Sequence, residues 1–160
     1  MTTIDLIAKA VSAILGTLAA LHLYWAAGGL WPGGSTRKLI DTVIGDPRLN
    51  RMPPAWLSAL VGLALAGAAI LPLSVVPVFP NGALSLYFPA VPLLGAMAAT
   101  LFVALVFVAR GIAGYLPFWR RLHPAQPFAT LDVLLYSPLC LLLGLALIYV
   151  DLAVLAEVSI

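Results

Sequence analysis

Four apolar runs, each about as long as a bilayer is thick, leave this chain very few ways to fold. They are Leu6–Ala27, Ala55–Leu73, Val91–Ala109 and Leu131–Leu155. A helix needs about 20 apolar residues to cross some 30 Å of hydrocarbon. Inside hydrocarbon each backbone N–H and C=O must find its partner within the segment, so a helix competes with no open strand. Composition closes the soluble alternative. Of 160 residues 63% are hydrophobic and 9% charged, against roughly 25% charged in a soluble domain. A chain this short has too much surface for its volume to hide that apolar load from water. The expected fold is all-α: a four-helix transmembrane bundle forming one integral membrane domain over residues 1–160.

The flanks of the runs are equally readable. Pro53 and Pro54 precede the second, where a missing N–H costs a helix nothing. Arg110 and Gly111 close the third. The first begins MTTIDLIAK, without a clean basic leader and with too long an apolar run for a signal peptide, so it is read as retained. The second loop, SVVPVFPNGALSLYFPAVP, is apolar and broken by prolines, and is expected to lie against the outer interface. The first loop should hold a short amphipathic helix: Ser35 or Thr36 caps it, and Leu39, Ile40, Val43 and Ile44 share a face. Gly45 and the turn Asp46–Pro47 stop it. Such a helix suits the headgroup plane.

Orientation follows from the basic residues. The first loop carries Arg37, Lys38, Arg48 and Arg51, and the third carries Arg110, Arg120 and Arg121, while the rest of the chain has only Lys9. Basic residues are retained on the cytoplasmic side, so loops one and three are expected there, with both termini outside, in a bacterial inner membrane. No internal repeat suggests two inverted halves.

Several function classes drop out. A net charge of +2 is too small for nucleic-acid binding. One cysteine, Cys140, excludes an internal disulfide and the CxxC pair of a quinone-linked disulfide reductase. The HExxH signature of a zinc protease is absent. AAGGLWPGGST is glycine-rich but lacks the Lys-Ser/Thr ending of a phosphate loop, and reads as a flexible exit from the first span. Gly16 with Ala20, Gly62 with Ala66 and Gly95 with Ala99 have the spacing of helix-packing faces.

The unusual polar residues gather toward one end. His22 lies about five residues before the first span ends. Asp132, Tyr136 and Cys140 are spaced i, i+4, i+8 along one stripe of the fourth span, which starts from the same face. Arg110 ends the third span there as well. Ionisable groups in a membrane usually face a partner or a wet cavity. His22 is therefore expected to bond Tyr136 or Asp132, either as a staple between helices or as a proton-transfer or ligand-binding group. Bis-histidine haem ligation by His22 and His123 is a remote alternative, and no metal site is expected. Trp25, Arg110, Tyr115, Trp119, Arg120 and Arg121 are candidate ligand contacts: amphipathic rings and basic side chains that also suit a headgroup anchor.

The stretches HLYWAAGGLWP, GYLPFWRR and LDVLLYSPLCLLLG resemble a family of small bacterial membrane proteins catalogued only as a domain of unknown function. The likeness covers nearly the whole chain in order, with the second and third spans matching in apolarity alone. It implies a four-span membrane protein and supplies no activity, cofactor or substrate.

Three functions remain open on the residues. The first is binding of a lipid-like small molecule, or of a membrane protein partner, at the cytoplasmic face. The second is a membrane enzyme acting on a lipid, isoprenoid or quinone, with His22 as general acid/base, Asp132 orienting it, and Arg110, Arg120 or Arg121 holding an anionic headgroup. The third is a small oligomeric transporter, which the lack of a mid-membrane acid disfavours. No cofactor is specified.

Overall fold

A computed structural model describes residues 2–76 and 93–158. Its elements in chain order are α1 (Thr3–Ala26), α2 (Thr36–Val43), α3 (Ala55–Val75), α4 (Leu93–Ala113), α5 (Pro117–Leu122), α6 (Phe128–Leu131) and α7 (Ser137–Val158). A π-helical turn, Asp132–Tyr136, joins α6 to α7 without a break. Four helices are long and apolar enough to cross a membrane: α1, α3, α4 and the continuous run Phe128–Glu157. The protein is a multi-pass, all-α membrane protein. The interfacial position expected of the second loop falls largely on residues 77–92, outside the described residues.

Local chemistry sets the helix ends. Thr2 and Asp5 form a capping box at the start of α1: the Asp5 N–H donates to Thr2 Oγ1 at 3.2 Å and the Thr2 N–H to Asp5 Oδ2 at 2.8 Å. The helix thus starts at Thr3, ahead of the expected Leu6. The short helix of the first loop is present, and Ser35 is its cap, accepting from the Lys38 N–H at 3.4 Å. Leu39 and Ile40 on its inner face are fully buried. Gly45 ends the segment at φ +74°, a left-handed conformation that glycine adopts without strain. Beyond it Arg48 hydrogen-bonds Asp46 and holds its carboxyl down at about 2.

α1 packs chiefly on α3, and α4 on α7. The two pairs meet along a core whose middle is Val11, Leu15, Ala68, Ala104, Leu143 and Leu147. Toward the end remote from loops one and three it continues through Ala8, Val75, Ala96, Val150 and Val154. Close approach depends on glycines. A Cβ on Gly111 would lie 2.6 Å from Leu141 Cγ, and one on Gly144 would lie 2.6 Å from Val108 Cγ2 and 2.8 Å from the Ala104 carbonyl oxygen. Gly62 plays its expected part, with Leu23 2.9 Å from where a Cβ would be. Gly16 does not: a Cβ there would meet nothing within 4 Å. Spacing alone does not distinguish a helix face turned to a neighbour from one turned to lipid.

Loops one and three dock on each other. The Ala125 N–H donates to the Gly45 carbonyl at 3.1 Å, and the ring of the buried Phe128 occupies the place where Gly45 lacks a side chain. Tyr136 completes the seam, its hydroxyl donating to the Thr42 carbonyl at 3.1 Å. That carbonyl belongs to the last turn of α2, where no intrahelical partner exists.

Candidate functional site

The fourth span carries Pro138 about two turns inside its apolar run. Proline has no N–H for the ladder, and its ring would collide with the carbonyl four residues back. The helix widens just before it: the Ser137 N–H reaches the Asp132 carbonyl, an i to i+5 bond. One extra residue in the turn rotates everything upstream relative to α7. Ser137, rather than Tyr136, is consequently brought onto Asp132. π-Turns of this kind often mark sites where a side chain is aimed at a particular partner.

Asp132 is buried, 2% exposed, and accepts from three donors. Arg110 Nη2 is 2.7 Å from Oδ1, Trp119 Nε1 is 2.9 Å from Oδ2, and Ser137 Oγ is 3.2 Å from Oδ1. Arg110 also donates to Ser137 Oγ at 3.4 Å and lies with its Cζ 4.6 Å from the Trp119 ring centre. The position of Arg110 suits its charge, since it is in the last turn of α4, where helix carbonyls attract a cation. Charge neutrality, hydrogen bonds to both carboxylate oxygens and a cation–π contact together make burial of this pair tolerable. The aromatic chain continues outward. His123 stacks on Trp119 at 4.2 Å, Phe128 lies 5.7 Å from His123, and Tyr136 lies 5.8 Å from Phe128.

His22 stands apart from this network. Its Nδ1–H donates to the Leu18 carbonyl of its own helix at 2.8 Å, and its ring meets Trp25 edge-on at 4.9 Å. Neither of the partners expected for it is engaged: Asp132 accepts from Arg110, Trp119 and Ser137, and Tyr136 donates to Thr42. The staple between the first and fourth spans is thus not made by His22, nor is a His22–Asp132 acid–base pair. Equal depth on two helices did not mean adjacency, because depth leaves rotation about each helix axis free. His123, the other imidazole, donates from Nδ1 to the Trp119 carbonyl at 3.1 Å.

The candidate ligand contacts divide in the same way. Trp25 Nε1 donates to the Trp31 carbonyl at 2.8 Å, pinning the exit from α1, and the Tyr115 hydroxyl donates to the Val133 carbonyl at 3.2 Å. Arg110 and Trp119 serve Asp132. Arg120 and Arg121 are exposed, and among the described residues their guanidinium groups make no hydrogen bond or ion pair. Arg120 lines an open cleft of about 260 Å³ with Gln126, Ala129, Thr130, Val133 and Leu134. There the Thr130 hydroxyl donates to Gln126 Oε1 at 2.9 Å, leaving the Gln126 amide NH2 as a donor.

Two participants were missed at the level of sequence, Ser137 and Gly114. Pro138 was the available signal for the first. For the second it was a glycine just past Arg110, at a point where α4 must come close to the π-turn. A Cβ on Gly114 would fall on Ser137 Oγ and lie 3.0 Å from Asp132 Oδ2.

Neither the curated proteins nor the solved structures include a match to this chain. A family model does match, over residues 15–147, and that range holds α2 through the π-turn together with the second half of α1 and the first half of α7. It therefore includes the whole Arg110–Asp132–Trp119–Ser137 network, and the chain belongs to the family described as protein of unknown function DUF3995.

Proposed function

We propose that the protein binds an anionic membrane lipid, or a lipid-like molecule with an anionic head, at the end of the bundle where loops one and three meet. The observation that carries this reading is the graded lining of the Arg120 cleft. Arg120, Gln126 and Thr130 stand at its loop end, and Val133 and Leu134 run down the fourth span. A guanidinium and an amide NH2 are both donors, suited to a phosphate, while the apolar lower wall suits an acyl chain. The Arg110–Asp132–Trp119 network would hold the two sides of the cleft together, since Arg120 follows Trp119 in α5, Val133 follows Asp132 in the π-turn, and the Trp119–Asp132 bond ties the two elements.

The test is equilibrium binding by the protein in a neutral detergent of dioleoylphosphatidylglycerol against dioleoylphosphatidylcholine. The anionic lipid should bind more tightly, and Arg120→Gln should weaken it by about tenfold, one charge-assisted hydrogen bond at an exposed site. Equal affinity for the two lipids, or an unaffected Arg120→Gln variant, would overturn the proposal. A membrane protein that copurifies and is released by Arg120→Gln, with no lipid preference, would identify the cleft as a protein-docking site instead.

The same reading places this end of the bundle in the cytoplasm of a bacterial inner membrane, on the seven-to-one excess of basic residues in loops one and three. Reporter fusions after Thr42 and after Gln126 should both give a cytoplasmic signal. A periplasmic signal from either would invert the orientation and move the cleft to the outer face.

A further inference from the structure

Asp151 is a carboxyl in the fourth span that is 7% exposed, and among the described residues neither of its oxygens has a hydrogen-bond partner. It lies two turns from the end of α7, remote from loops one and three, and is separated from the Arg110 network by most of the bilayer. Among the described residues its surroundings offer no cation: α4 carries no charged residue between Leu93 and Ala109, α3 carries none, and Asp5 and Lys9 of α1 make no ion pair with it. A carboxylate in hydrocarbon must be paired or must take up a proton, and isolated acids in membrane spans usually face a partner or a pathway.

The space in front of Asp151 is not filled. A cleft of about 200 Å³ runs between α4 and α7, with Met97, Ala98 and Leu101 on one wall and Ile148 and Leu152 flanking Asp151 on the other. Leu101 and Leu152 are themselves exposed, so the cleft opens on the lipid-facing side of the bundle. An apolar slot with one carboxyl and no other polar side chain is complementary to a molecule that is apolar over most of its length and carries a single positive charge. Asp151 lacks the partners that make Asp132 self-sufficient.

We propose that the α4–α7 cleft is a binding site for a lipophilic monocation, with Asp151 as its counter-ion. A carboxyl without a counter-ion in apolar surroundings takes up a proton; a cation binding beside it would displace that proton to solvent and pair with the carboxylate. The inference is independent of the headgroup cleft, which lies at the other end of the bundle.

Dicyclohexylcarbodiimide is a suitable probe, because it adds to protonated carboxyls in apolar surroundings. In protein purified in dodecyl maltoside, the reagent should label the peptide containing Asp151, and Asp151→Asn should abolish that label without lowering the melting temperature. Dodecyltrimethylammonium should slow labelling at least tenfold, whereas extra dodecyl maltoside, with the same chain and no charge, should not. Ala98→Phe, which fills the cleft and keeps the acid, should reduce the protection given by the cation. Absence of label on Asp151, equal protection by the neutral chain, or undiminished protection in Ala98→Phe would each overturn the proposal. So would a marked fall in melting temperature for Asp151→Asn, since it would mean that the carboxyl serves an internal partner.

Discussion

Asp132→Leu is expected to cost about 3 kcal/mol of stability, the lower end of the range for breaking a buried ion pair. Three donors lose their acceptor at once: Arg110 Nη2 at 2.7 Å, Trp119 Nε1 at 2.9 Å and Ser137 Oγ at 3.2 Å. The Arg110 side chain is 30% exposed and can recover part of its hydration, which is why the lower end applies. Asp132→Asn keeps an acceptor for Trp119 and should cost less. The informative variant is the double one. Arg110→Met with Asp132→Leu removes both charges, and replacing a buried pair with apolar groups is often neutral. The double variant should therefore be more stable than Asp132→Leu alone. Unfolding of the detergent-solubilised protein by dodecyl sulfate, followed by circular dichroism, measures all three. A loss below about 0.5 kcal/mol for Asp132→Leu, the level of an ordinary surface change, would show the network to be incidental.

That network shows where a linear reading of this chain succeeds and where it stops. The spans were legible because hydrocarbon imposes a length and an apolarity that few other structures need. The first-loop helix was legible because Ser35, its buried Leu39 and Ile40 and its stop at Gly45 all say the same thing. Arg110, Asp132 and Trp119 could be singled out because charges and indoles near the ends of spans are few. Who touches whom was harder. A strict 3.6-residue period places Tyr136 over Asp132, but the π-turn before Pro138 adds a residue and substitutes Ser137. Tyr136 is turned instead toward the first loop, and reaches a carbonyl 94 residues away in the sequence. No local pattern carries that information. For His22 depth was legible and azimuth was not, and the ring used a carbonyl of its own helix.

Glycines show the same boundary, and they supply the second large effect. Gly114→Ala is expected to destabilise the protein by about 1–3 kcal/mol, the range for overpacking a fitted interior. Gly114 is buried, and its backbone is not in the left-handed region, so the cost comes from contact rather than conformation. The new methyl would fall on Ser137 Oγ, with Asp132 Oδ2 at 3.0 Å. A hydroxyl held between Arg110 and Asp132 cannot rotate away without giving up its bonds. Either Ser137 leaves the network or the end of α4 moves off the π-turn, stretching the Arg110–Asp132 pair. Gly16→Ala is the matched control. It lies inside α1 with nothing within 4 Å of the added carbon, so it should stabilise by about 0.5–1 kcal/mol through helix propensity alone. Combining Gly114→Ala with Ser137→Gly removes the colliding hydroxyl, and its cost should fall short of the sum of the two single changes. If Gly114→Ala and Gly16→Ala shift the melting temperature alike, the close approach of α4 to the π-turn does not govern stability. An additive double variant would instead place the cost of Gly114→Ala away from Ser137, on the Asp132 carboxylate itself.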